Sequence, residues 1–157
     1  MVQESEKLRI VLDANVLFSG VVSRKGCPAQ ILDLVAKNEV ILLLNDYIIS
    51  EVETHLAEKG SQSNIGWFRS FVSTNAIEKS PIPPINQVME FEYLVPRDLN
   101  DVPIVLSAYN ANADFLVSGD KDINSHNETT AEIVNIVKVV TPRVFADLFE
   151  KHYSGEE

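Results

Sequence analysis

Leu8-Arg9-Ile10-Val11-Leu12-Asp13 is the stretch from which the rest of the chain can be read. Its aliphatic residues run together without alternating with polar ones and stop at an acid, as in a strand buried on both faces of a parallel sheet. Asp114-Phe115-Leu116-Val117-Ser118-Gly119-Asp120 repeats the pattern late in the chain, again closing on an aspartate. Val40 to Leu44 and Ile136 to Val140 read as two further buried strands. Helical segments fall between and after them. Pro28 to Val35 starts with proline in its first turn and sets Ile31, Leu32 and Val35 on one face. Asn45 or Asp46 can cap a helix to about Lys59 that buries Ile48, Ile49, Val52 and Leu56, with Gly60 at its end. Ile65 to Val72 carries Trp67, Phe68 and Phe71, for which core packing is the preferred reading. Ser80-Pro81-Ile82-Pro83-Pro84 reads as an extended connector. A helix from about Val102 spaces Val102, Val105, Leu106 and Tyr109 on one face, and Thr141-Pro142 opens a last helix. Strands alternating with helices predict an α/β fold with a mostly parallel sheet covered on both faces. Ligands bind such sheets beyond the carboxyl ends of the strands, where Asp13 and Asp120 sit.

The composition sets outer bounds. The 157 residues suit one domain spanning 1–157, with its core at about 8–150. Hydrophobic residues make up 45% and charged residues 23%, ordinary values for a soluble globular chain. Cys27 is the one cysteine, so no internal disulfide can form, which fits a reducing, cytoplasmic setting. The N-terminus lacks the apolar run of a signal peptide, and no stretch approaches the roughly 18 apolar residues of a membrane span. With 23 acidic and 13 basic residues the formal net charge is −10. That argues against nucleic-acid binding by charge alone, since phosphate neutralisation needs cations. Divalent ions held by clustered carboxylates offset this locally.

Each acid carries two readings. Asp13 either binds a hard cation through its carboxylate or caps a turn after the strand. Asn15 either orients Asp13 or stabilises that turn. Glu51 lies beside the Ile48-Val52-Leu56 stripe and can look into a cleft at the sheet rim, or can be an ordinary surface residue. His55, one turn on, reads as a boundary residue, and no zinc-type ligand cluster is present. Asp98 and Asp101 precede the helix at Val102 as caps or ligands, with Asp101 the better ligand candidate. Asp120 can hold metal and Ser118 can hydrogen-bond a carboxylate or phosphate, while Asp122 is an outer candidate better read as part of a surface turn. Together these residues supply acids from four segments, and like charges in one cleft are costly unless a metal neutralises them.

In this order the motifs resemble the PIN-domain family, in particular its bacterial and archaeal toxin-like, VapC-like branch. Ile10-Val11-Leu12-Asp13-Ala14-Asn15-Val16-Leu17 looks like the family's opening strand and first acid, and Glu51 matches the second acid loosely. Arg97-Asp98-Leu99-Asn100-Asp101 with the helix to Ala111 resembles the third-acid segment. Ala113 to Asp122 resembles the late strand and fourth acid, with Ser118 where threonine is commoner. Val139 to Phe145 resembles the closing strand and helix. The resemblance covers about residues 8 to 150, with no diagnostic motif over 61 to 95. It implies a three-layer α/β/α sandwich and hydrolysis of RNA phosphodiester bonds with Mg2+ or Mn2+ at Asp13, Glu51, Asp101 and Asp120. Arg24 and Lys25, in what reads as a loop after the first strand, are candidate phosphate contacts. An antitoxin partner and a homodimer are further implications of the toxin branch.

Two rival enzyme classes fit less well. A haloacid-dehalogenase phosphatase needs a second aspartate where Asn15 stands. A phospho-receiver domain needs a lysine ending a late strand, and none is found. A third reading, of a different class, is a non-catalytic PIN fold that binds RNA or a protein. It gains if the four carboxylates do not converge.

Overall fold

The computed structural model describes residues 7–74, 76–91, 102–119 and 137–153. Within them β1 (Arg9–Leu12), β2 (Ile41–Leu44), β3 (Ile77–Lys79), β4 (Phe115–Val117) and β5 (Val139–Val140) form one sheet in the order β3-β2-β1-β4-β5. Every neighbouring pair is parallel, so each connection must cross over. Helices α1 (Ala14–Val22) and α2 (Cys27–Ala36) join β1 to β2, and α3 (Asp46–Lys59) and α4 (Gln62–Phe71) join β2 to β3. Between β3 and β4 lie α5 (Ile85–Glu90) and α6 (Val102–Asn110), and α7 (Pro142–Tyr153) follows β5.

The chain steps from β1 to β2 to β3 in one direction, then returns past β1 to β4. Right-handed crossovers on these two courses place their helices on opposite faces. The packing agrees: α1 lies against α2, α3 and α4, and α7 lies against α2, whereas α6 lies against β1, β4 and α5. The result is a three-layer α/β/α sandwich. Ile10, Leu12, Leu42, Leu43, Leu44, Leu116 and Val117 are fully buried because both sheet faces are covered. No described helix is long and apolar enough to cross a membrane.

Local chemistry accounts for the departures from the sequence reading. Where a loop is expected after β1, α1 forms at once. Its run of Val, Leu and Phe gives little helical signal, but Asp13 caps it and Ala14, Val16, Leu17, Gly20 and Val21 are buried. α4 begins three residues before the expected Ile65 because Ser61 and Asn64 form a reciprocal capping box. β3 is a strand the apolar pattern does not reveal. It lies at the sheet edge as Ile-Glu-Lys, with both charged residues exposed. Gly20 is required by packing: a Cβ there would stand 2.7 Å from Leu32 Cδ1 and 3.0 Å from the Pro28 carbonyl. Phe68 and Phe71 are buried as expected, and Trp67 stacks on Phe71 at 5.1 Å.

Candidate functional site

The strand register sets up the site. Leu44 pairs with Lys79, Ile10 with Leu42, Leu12 with Val117, and Val117 with Val140. One residue further along each strand, the same register aligns Ser80, Asn45, Asp13, Ser118 and Thr141. A polar residue therefore ends every strand, and the five form a row across the carboxyl edge of the sheet. The course of the chain diverges between β1 and β4, and this is the switch point at which open parallel sheets bind ligands. Asp13 and Ser118 flank it.

Asp13 is 7% exposed and Ser118 is fully buried. Asp13 Oδ1 accepts a hydrogen bond from the Val16 amide at 2.9 Å, which makes Asp13 the N-cap of α1. Ser118 Oγ donates to Asp13 Oδ2 at 2.5 Å, at the short end for a hydroxyl on a carboxylate. Both readings of Asp13 thus meet in one residue. These bonds take two of the carboxylate's roughly four acceptor positions and fix its orientation. An oriented, nearly buried carboxylate beside a hydroxyl is a hard oxygen donor set of the kind that suits magnesium or manganese.

Asn45 was read only as a cap and does more. It is fully buried, its Oδ1 accepts from the Ile48 amide at 3.0 Å, and its Nδ2 donates to Ser107 Oγ at 2.8 Å. Ser107 Oγ in turn donates to the Pro103 carbonyl at 2.6 Å. This chain ties the start of α3 to the first turns of α6 on the opposite face. The available signal was an amide directly after four buried aliphatics, where an unpaired polar group would be costly. At the ends of the row, Thr141 Oγ1 accepts from the Val144 amide at 3.2 Å and Ser80 Oγ donates to the Leu44 carbonyl at 3.3 Å.

Glu51 is half-buried on α3. His55, one turn further on, meets Phe18 of α1 edge to face at 6.2 Å. Both helices start at the carboxyl edge and run away from it side by side. The two helices pack against each other along this course. Asn15 is exposed in the first turn of α1, and the described hydrogen bonds to Asp13 come from Val16 and Ser118. Asp98, Asp101, Asp120 and Asp122 lie outside the described residues. In sequence, Asp101 adjoins Val102 at the start of α6 and Asp120 adjoins Gly119. Among the described residues no group of three metal-ligating side chains comes together.

Arg24 and Lys25 follow the far end of α1, roughly 14 Å along the helix from Asp13 at 1.5 Å per residue. Arg24 donates to the Gly20 carbonyl at 3.0 Å, pairs with Asp33 at 3.1 Å and lies over the Trp67 ring at 4.6 Å. The structure therefore sets these two cations at the amino side of the sheet, away from the polar row.

The PIN-domain family model matches residues 9–122. An uncharacterized protein of Methanocaldococcus jannaschii is 29% identical over 154 residues, covering 96% of this chain and 97% of its own length. Among solved structures, VapBC2 from Rickettsia felis, bound to a DNA fragment from its promoter, is similar with a TM-score of 0.58 and 17% identity. That match covers 85% of this chain and 98% of the other. A protein from Pyrobaculum aerophilum is similar with a TM-score of 0.62 and 13% identity, covering 92% and 97%. At these identities the two structural likenesses speak to fold alone.

Proposed function

This chain belongs to the PIN-domain family, and on that premise we propose that it is a metal-dependent endoribonuclease whose site is built on Asp13. The observation that carries the reading is the Asp13–Ser118 pair at the switch point of the parallel sheet. Asp13 and Glu51 would hold a magnesium or manganese ion together with Asp101 and Asp120. Such an ion, when bound, makes a water nucleophilic near neutral pH and offsets charge on phosphate oxygens. Ser118 and the Val16 amide hold the Asp13 carboxylate in one orientation, each donating to a different oxygen. Burial of the pair keeps water from competing for those bonds. Ser107 and Asn45 hold the first turns of α6 against the start of α3.

The resemblance of the motifs to the toxin-like branch of the family extends the reading to a toxin restrained by an antitoxin protein. A second reading, a chain that binds RNA or a protein without cutting, draws on the exposed apolar side chains of Ile82, Ile85 and Met89. One experiment separates the two. A panel of single-stranded RNAs is incubated with manganese, magnesium or EDTA, using the wild type and a folded Asp13→Asn variant. Cutting that needs metal and is lost in the variant supports the nuclease. Equal cutting by both proteins refutes the site, and RNA binding without cutting in any metal favours the second reading.

A further inference from the structure

The acids at the carboxyl edge repel the substrate that this reading gives them, in a chain of net charge −10. RNA held there needs cations at the same edge. Among the described residues, only Lys79 and Arg143 lie at that edge. Arg9 and Arg24 are engaged at the amino side, in ion pairs with Glu78 and Asp33, and Arg69 is paired with Glu53 part-way along α3. The other described lysines stand before strand starts, at or just after helix ends, or late in α7, all on the amino side of the sheet.

Lys79 and Arg143 take up opposite flanks of the polar row. Lys79 closes β3 at one edge of the sheet, and Arg143 sits in the first turn of α7, just past β5 at the other edge. Four strand spacings separate β3 from β5, about 19 Å, with Asp13 at the middle strand. Arg143 is exposed and makes no ion pair among the described residues. Its planar fork suits a phosphate, and the α7 N-terminus beneath it adds favourable partial charge. Lys79 holds Asp46 at 2.8 Å, but both partners are largely exposed, and such a pair is weak enough for a phosphate to replace the carboxylate.

Resting on the ribonuclease reading, we propose that Lys79 and Arg143 grip phosphates on either side of the cleavage point, so that single-stranded RNA lies along the polar row and across the strand ends. Substrate direction then follows the sheet edge, and the two cations select for a strand long enough to reach both flanks.

The test uses the full chain carrying Asp13→Asn, so that RNA is bound and not consumed, with labelled single-stranded RNA titrated at several salt concentrations. Arg143→Gln and Lys79→Gln should each weaken binding and lower the slope of log K against log salt by about 0.7, the value for one phosphate contact on a single strand. Lys37→Gln, at the amino side, should change neither. In the active chain both variants should raise KM and leave kcat unchanged, the mark of binding shared by ground and transition states. Slopes equal to that of Lys37→Gln in a chain that still cuts RNA overturn this proposal and leave the nuclease standing. Failure of the wild type to bind or cut any RNA overturns both.

Discussion

Replacing Ser118 with alanine removes one hydroxyl from a fully buried position and leaves the backbone and Cβ in place. Asp13 Oδ2 then loses a 2.5 Å hydrogen bond at a site 7% exposed, where bulk water has little access to replace it. A hydrogen bond to a charged group contributes about 1.5–3 kcal/mol. In EDTA at neutral pH, the unfolding free energy of Ser118→Ala should fall by about that amount. At roughly 2–4 °C per kcal/mol for a chain of this length, Tm should fall by about 3–12 °C. Urea denaturation of wild type, Ser118→Ala, Asp13→Asn and the double variant closes a thermodynamic cycle that isolates the pair from the other effects of each change. A coupling of about 1 kcal/mol or more is expected, and a value under about 0.5 kcal/mol refutes the idea that the hydroxyl supports the carboxylate. Calorimetric titration with manganese gives an independent readout. Loss of a group that orients a ligand typically weakens metal binding by about 10–100-fold.

Asn45→Ala removes both a helix cap and the link to Ser107, and urea midpoints should report a loss of about 2–3 kcal/mol. Asn45→Ser keeps an acceptor for the Ile48 amide and should fall between alanine and wild type in the same assay. Gly20→Ala should destabilise by about 1–3 kcal/mol in spite of alanine's better helix propensity, because the new methyl meets Leu32 and the Pro28 carbonyl; thermal unfolding checks this. Arg24→Gln should cost under about 1 kcal/mol, since its ion pair and its place over Trp67 are exposed, and should leave RNA cutting rates unchanged.

Much of the fold was legible because the interior strands are continuous aliphatic runs. Arg9–Leu12, Ile41–Leu44 and Phe115–Val117 announce a parallel sheet covered on both faces, and the acid after the first marks the edge that matters. β3 escaped because an edge strand half in solvent carries charged residues, and α1 escaped because its helix depends on a cap and on tertiary packing more than on propensity. At the site, Asp13 and Ser118 were singled out separately, and their contact follows from strand order, which no local pattern encodes. The roles of Asn45 and Ser107 were hidden for the same reason, since a hydrogen bond between residues 62 positions apart leaves no periodic trace. Arg24 and Lys25 were attractive as cations near Asp13 in sequence, and the intervening helix carries them to the other end of the sheet.

The Asp13–Ser118 contact also has a consequence in time. Its partners are 105 residues apart, and β1 lies between strands made early and late. At about 5–20 residues per second, a ribosome that has placed Asp13 needs roughly 5–20 s more to reach Ser118. Throughout that interval β1 pairs on one side only, and the carboxylate lacks the hydroxyl that aims it. A nuclease of the kind proposed would thereby lack its completed active edge until the late strand of its own chain has been made.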